Sequence, residues 1–512
     1  MSTEKVDSLK EIVVSTENST SAAKTPPRRV KSRFSYFLTI FALALTFLYY
    51  GYCLVAFGMI ADNVSALFGW TDNEKFVYST IISSMICGGQ ALGSLVAPFL
   101  SHRLGKHKLT LITIFVAYVG LALTAVTNIA AMIAGRLIAN LATGVFIAIV
   151  PIIGHEISPK EYDSFSSAFI SNMCSIGVSV GFLLGFGLPE PSPTQNSYWR
   201  FTALFGVIPL TIAGLILIFH TKGDSGKSIY NKYKDEAKAQ IALARIYREE
   251  EVEKELEAIK EESKIVKTKI PFKQLCKSQG KQIALGYSMI ISQICSGLNF
   301  AGIYFFLILQ KSELAAGATA EAARQTTILF STLAGIGEII STLGSFYWLK
   351  QFKRRPLYVV IFGLGYLALG LQWVFGFTGL YHGIKYCMIG CFFFFGAGIG
   401  PFSFIYLPSI MGDSAFGLIT GSFSAMRLLD VIIFPLMVHS VLGVRGTILI
   451  FWSIGMVTNT YFVAKSVEIK GVSEADIFKH FNRSSDDAER EIENNVERKA
   501  SRETSYSGSE KS

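Results

Sequence analysis

Few residues of this chain set a hydrogen-bonding or ionisable side chain inside an apolar run, and those few define its chemistry. Gln293 and Asn299 lie six apart in the run Gln293-Ile294-Cys295-Ser296-Gly297-Leu298-Asn299. On an ideal helix that separation is about 120°, so both amides can flank one cavity across Ser296-Gly297. Amides in such a run either bond neighbouring helices or fix a polar solute in a mostly apolar site. Glu338 stands in another apolar run. Inserting a carboxylate there costs about 2.5–3.5 kcal/mol, so it is functional by default. It can accept hydroxyls, carry a proton or face a cation, and the structural alternative is a pair with an arginine from another run. Arg427 and Asp430 are three apart and share a helical face. They are expected to neutralise one another, with a substrate or gating role second.

Nothing in the sequence points to an enzyme. No catalytic triad or metal-ligand cluster stands out, and no cofactor is expected. Six of the seven cysteines (Cys53, Cys87, Cys174, Cys295, Cys387 and Cys391) sit in apolar runs without paired spacing and read as small core residues. Gly223-Asp224-Ser225-Gly226-Lys227-Ser228 imitates part of a phosphate-binding loop. Its first glycine is mis-spaced, because Thr221 occupies that place, and an apolar span precedes it instead of a strand.

The elements that must position these side chains are long apolar runs. The 512 residues are 51% hydrophobic and 17% charged, against about a quarter charged in soluble proteins. The charges crowd into both tails and one central segment. Runs of about 20 residues match the bilayer core, where the backbone must satisfy itself as helix or closed barrel; without strand-like alternation they are helices. The predicted fold is an all-α membrane protein with twelve transmembrane helices in two six-helix halves. Spans are expected at 34–59, 77–100, 109–127, 130–153, 164–188 and 200–220, then at 281–310, 326–348, 357–377, 383–409, 415–441 and 446–465. The corresponding regions are a disordered arm (1–33), an N-terminal half (34–220), a helical linker (221–280), a C-terminal half (281–466) and a charged tail (467–512). In the linker, Ile241, Leu243, Ile246, Val252, Leu256 and Ile259 recur at near-helical spacing among alternating charges, as in short amphipathic helices.

The net charge of +9 does not call for nucleic acid, because no basic stripe interleaves with exposed aromatics. Basic residues instead gather in the N-terminal arm, at Arg103, Lys106 and Lys108, in the linker, and at Lys350, Lys353, Arg354 and Arg355. With an even number of spans these share one side, which the positive-inside rule makes the cytoplasm, with both termini. Asn63-Val64-Ser65 then forms a sequon in the loop after span 1 on the opposite side, where Asn63 is a candidate for glycosylation.

Six spans, a charged bridge and six more spans is the layout of the major facilitator superfamily, whose halves rock around a site near the bilayer midplane. Local residues are similar to the sugar porter family, which includes the facilitative glucose transporters. Gly135-Arg136, Pro151 and Gly154-His155-Glu156-Ile157-Ser158-Pro159 resemble its GR…P…GExSP signature, with one extra residue between Gly154 and Glu156. Tyr198-Trp199-Arg200 resembles its WR, Arg103-Leu104-Gly105-Lys106-His107-Lys108 its RxGRR turn, and Lys353-Arg354-Arg355 the second copy without the Gly. Gln293–Asn299 resembles QQLSGIN, Gly398-Ile399-Gly400-Pro401 resembles GPGP, and Val467-Glu468-Ile469-Lys470-Gly471 stands where PETKG would be. Departures occur as well: Asp224-Ser225-Gly226-Lys227 replaces ESPR, and Gly396 and Phe404 replace a glutamate and a tryptophan. The charge network thus reads as intact in the N-terminal half and thinned in the C-terminal half.

The resemblance implies a secondary transporter of a hexose-type sugar working by alternating access, with the lipid bilayer as its other partner. It gives Gln293 and Asn299 the family's sugar-binding amides, Glu338 the place of a sugar-binding Asn in span 8, Phe404 an aromatic wall, and Ser171, with Asn172 beside it, the place of a span 5 Gln. Arg136 with Glu156 is expected as a salt bridge that locks the outward-facing state, and Arg103, Arg354 and Arg355 as further gating charges. Proton-driven members carry an Asp where this chain has Cys53, so facilitated diffusion is expected. Proton coupling, a polyol or organic-cation substrate, and a non-transporting nutrient sensor are the alternatives.

Overall fold

The computed structural model describes residues 32–159, 162–189, 197–221, 223–265, 279–296, 298–411, 413–470 and 481. The expected arm (1–33) and tail (467–512) therefore lie almost wholly outside the described residues. All regular elements among the described residues are helical. The first six are α1 (Arg33–Phe68), α2 (Asp72–Leu104), α3 (Lys106–Thr124), α4 (Ile129–Ile157), α5 (Asp163–Phe186) and α6 (Tyr198–Thr221). Three linker helices follow: α7 (Gly226–Tyr233), α8 (Glu236–Leu243) and α9 (Glu249–Ile265). The rest are α10 (Gly280–Cys295), α11 (Leu298–Ala315), α12 (Ala320–Gln351), α13 (Arg354–Thr378), α14 (His382–Ile399), α15 (Gly400–Ile410), α16 (Asp413–His439) and α17 (Gly443–Lys465).

Sequence sets several of these boundaries directly. Thr71 opens α2 with a capping box completed by Glu74, and Asn128 and Thr319 cap α4 and α12 with their side chains. Gly69 and Gly379 close α1 and α13 at positive φ, where glycine avoids the Cβ penalty.

Among the described residues, eleven helices are long and apolar enough to cross a membrane, making this a multi-pass integral membrane protein. The expected seventh span, 281–310, differs: it is broken into α10 and α11. Ser296 follows α10 and turns its hydroxyl onto the Gln293 carbonyl (2.7 Å). Neither piece alone registers as a long apolar helix, and together they cover the expected run. Position 63 also differs from expectation. α1 continues to Phe68, so Asn63 lies within a helix and not in a loop.

Polarity runs from outside in, as the lipid setting requires. On α12, Leu333, Ile336, Ile340, Leu343 and Tyr347 are exposed, while Ser331, Glu338, Ser341, Thr342 and Ser345 are buried. α5 divides its faces the same way. A Cβ on Gly177 would collide with the Leu48 carbonyl of α1, and one on Gly181 with Val55. Ser175, two residues before Gly177 and so about 200° around the helix, faces the opposite way, towards α12. Within the first half α2 lies against α4, where Gly93 meets the Leu141 carbonyl. The halves meet chiefly where α5 packs on α12 and α2 on α16. In the linker, Ala239, Leu243, Tyr247, Val252, Leu256 and Ile259 close into a small core of their own.

These glycine crossings generate a stability prediction. Gly177→Val forces α1 and α5 apart and costs about 1–3 kcal/mol, read as a lower melting temperature in detergent. Gly363→Ala meets nothing within 4 Å and leaves the melting temperature unchanged or slightly raised.

Candidate functional site

A cavity lies between the halves, bordered by Tyr50 of α1, Ser171 and Ser175 of α5, Gln293 of α10, Phe392 and Phe395 of α14, and Phe423 and Arg427 of α16. Its volume is about 30 Å³, room for roughly two waters. Gln293 sits three residues before the α10/α11 break, and its carbonyl Oε1 accepts a hydrogen bond from Ser403 (2.6 Å), leaving the amide nitrogen for another partner. Ser171 is buried and its hydroxyl has no partner. A few polar groups among aromatic walls is the usual make-up of a small-molecule site. Asn299 lies in α11 and Phe404 in α15, but both side chains fall outside the described residues.

The remaining predicted residues separate into three places. Asn172 is not at the cavity; its amide crosses to α12 and donates to Ser345 Oγ (2.7 Å) and the Thr342 carbonyl (3.4 Å). Glu338 is fully buried one step along the same seam. It accepts from Ser179 (3.4 Å), while Oε1 has no hydrogen-bond partner. Among the described residues no arginine pairs with it, unlike the structural alternative read from sequence. Gly396 explains how α14 fits against this turn, since a Cβ there would press on Ser341 Oγ, Thr342 Oγ1 and the Glu338 carbonyl.

The expected mutual neutralisation of Arg427 and Asp430 is replaced by a contact across the halves. Arg427 Nη1 donates to Tyr50 Oη (2.7 Å) and to Gln90 Oε1 (3.1 Å). Both Asp430 oxygens are buried without a hydrogen-bond partner. A shared face places the two backbones correctly, but the long arginine side chain reaches across to α1 and α2.

The expected Arg136–Glu156 bridge is not formed. Both residues belong to the single continuous helix α4, where twenty residues span about 30 Å. Arg136 lies buried at one end, donating to the Cys53 carbonyl (3.2 Å) and resting over Phe57. Glu156 lies at the other, where Lys106 Nζ donates to Oε1 and Ser225 Oγ to Oε2 (2.7 Å). Asn63, expected as an exposed acceptor for glycan, is mostly buried, and its amide donates to the Pro189 carbonyl (3.1 Å).

The face that carries the linker repeats one device in both halves. After α6, Asp224 Oδ1 accepts the His107 N–H at the start of α3 (2.7 Å). After α17, Glu468 accepts the N–H groups of Arg354 (2.9 Å) and Arg355 (3.0 Å) at the start of α13. Each carboxylate satisfies donors that a helix N-terminus leaves open. Arg354 and Arg355 turn their guanidinium groups to the Leu349 and Val463 carbonyls (2.8 and 3.0 Å), while Arg103 is exposed and lends its carbonyl to Lys232 (2.9 Å).

Residues 37–481 match the family model described as "Sugar (and other) transporter". The chain belongs to this family. Among similar proteins, the glucose transporter GlcP of Staphylococcus epidermidis is 27% identical over 408 residues, 77% of this chain and 86% of that protein. Facilitated glucose transporter member 3 of Gallus gallus is 26% identical over 303 residues, 57% of each chain. Among solved structures, the proton:xylose symporter XylE bound to 6-bromo-6-deoxy-D-glucose superimposes with a TM-score of 0.71 at 16% identity. That match covers 86% of this transporter and 98% of XylE. The partially occluded inward-open form of XylE from E. coli gives 0.68, covering 86% and 99%. The shared fold is that of the major facilitator superfamily.

Sequence reasoning gave no role to Tyr50, Gln90 or Ser403, nor to Asp224 and Glu468, although it quoted the last two in the stretches set against ESPR and PETKG. The last two had a signal: each follows the final span of its half and lies near a basic turn. The C-terminal network, read as thinned, is rebuilt here through backbone donors. Burial alone would raise the Glu468 carboxyl, but the N–H groups of Arg355, Lys470 and Arg354 outweigh it and hold it below its ordinary value. A depressed carboxylate stabilises above its unfolded pKa of about 4.3 and loses that contribution as pH falls through the folded value. Glu468→Ala therefore lowers the melting temperature at pH 7, and the gap from wild type closes as the pH drops below about 4. A gap unchanged down to pH 3 would contradict the capping role.

Proposed function

We propose that the transporter carries a hexose-type sugar across the bilayer by alternating access, as facilitated diffusion. The observation that carries this reading is the cavity between the halves, where the amide nitrogen of Gln293 and the hydroxyls of Ser171 and Ser175 meet the aromatic rings of Phe392, Phe395 and Phe423. Sugars are neutral polyols, and this combination of hydrogen-bonding groups and ring faces suits them. A space of about 30 Å³ is too small for a hexose, so the halves, 34–220 and 281–466, must part to admit it. Asn299 and Phe404 complete the proposed binding set. Sugar carriage by relatives such as GlcP, named for glucose, supports the substrate class.

Coupling follows from Cys53. Where proton-driven porters carry an Asp, this chain has Cys53, a poor proton carrier at neutral pH, whose backbone carbonyl accepts from Arg136; this supports facilitated diffusion. The second reading, proton symport, rests on Glu338, buried with one oxygen unpartnered. Asn172, Arg427 and Asp430, with Lys106–Glu156 and the Arg354–Arg355 turn on the linker face, are the groups whose contacts rearrange during gating. Lys/Arg placement orients both termini to the cytoplasm, and the plasma membrane is the proposed location.

Uptake of labelled D-glucose by purified transporter in liposomes tests this. Flux down the sugar gradient, indifferent to an imposed pH gradient, is expected, with Gln293→Ala slowing it about three- to tenfold. Flux that requires a proton gradient would replace facilitated diffusion with symport through Glu338. Binding without flux would make the protein a sensor.

A further inference from the structure

We infer that Arg427 makes the cavity selective for sugars that carry a carboxylate, a refinement that rests on the proposed sugar-carrying function. Arg427 is 1% exposed and borders the cavity. Its Nη1 is occupied by Tyr50 and Gln90, both neutral, and its charge rests over the Phe423 ring (5.5 Å). Its Nε is buried with no hydrogen-bond partner. A guanidinium carries five donors in a planar fork that matches a carboxylate, so a buried N–H without an acceptor marks an incomplete site.

The protein's own carboxylates do not complete it. Asp430 is one turn away on α16, yet neither of its oxygens accepts a hydrogen bond. Glu338 does not border the cavity and takes its hydrogen bond from Ser179. Asp430 acts on the guanidinium through space without a hydrogen bond. The side-chain oxygens that do accept from it are neutral, and a solute carboxylate entering the cavity supplies the acceptor it lacks. Such a solute needs hydroxyls for Ser171, Ser175 and Gln293 and a carboxylate for Arg427. A hexuronate has both. Neutral hexoses satisfy the first set only.

D-Glucuronate and unlabelled D-glucose are compared as inhibitors of labelled D-glucose uptake in proteoliposomes, with direct uptake of labelled D-glucuronate alongside. One charge-assisted hydrogen bond gained predicts that D-glucuronate inhibits at about tenfold lower concentration and is itself carried. Arg427→Gln removes this advantage, and Arg427→Lys, which keeps the charge without the fork, retains part of it. The ratio between inhibitors within one variant is independent of how much protein folds, and the wild-type ratio alone decides if Arg427→Gln does not fold. D-Glucose uptake that D-glucuronate inhibits no better than D-glucose overturns the inference and leaves the sugar-carrying function standing. Uptake of neither solute overturns both.

Discussion

A charge inside a bilayer needs a partner, and among the described residues Arg136, Glu338, Arg427 and Asp430 are buried deep within the spans with no hydrogen-bonded ion pair between any two of them. Arg136 rests on a backbone carbonyl and an aromatic ring. Arg427 rests on a phenol, an amide and two rings. Glu338 faces the serines Ser175 and Ser179, and neither Asp430 oxygen has a hydrogen-bond donor. Neutral dipoles hold charge less tightly than a counter-ion does, and they can be exchanged at lower cost. Two of these contacts, Arg427 with Tyr50 and Gln90 and Glu338 with Ser179, join one half to the other. The seam is therefore strong enough to specify how the halves meet and weak enough to open.

Rigidity is built elsewhere. Within the N-terminal half, α1 meets α5 and α2 meets α4 through glycines so close that a Cβ would strike a carbonyl oxygen. On the linker face, Asp224 and Glu468 tie the ends of the two halves to the starts of α3 and α13. Under the proposed alternating access, each half would move as a unit, while the polar seam between α5 and α12 and the Arg427 contacts would take up the change. The break between α10 and α11 falls beside Gln293, so the cavity borders a span whose backbone is interrupted.

Much of this was legible in sequence. Apolar runs of spanning length gave the helices, and the carboxylates and arginines in those runs stood out because hydrocarbon penalises them whatever the fold. Gln293 and Ser171 both border the cavity between the halves. What failed was partner assignment. Arg136 and Glu156 were read as neighbours although one helix separates them by its own length, and Arg427 was paired with the nearer charge although its side chain reaches another half. Pairing depends on side-chain reach and tertiary contact, which spacing along one helix does not encode. Asn63 illustrates the same limit, since a sequon says nothing of whether its helix has ended.

The central claim is that two rigid halves rock about the cavity, and paired distances measure it directly. In a cysteine-free background, spin labels at Glu74 and Ser440 report one face of the bilayer across the α2/α16 junction, and labels at His102 and Gln351 report the linker face between the halves. The account predicts that adding a transported sugar shifts the two distance distributions in opposite directions. Distances that both stay fixed, or that lengthen together, would contradict it.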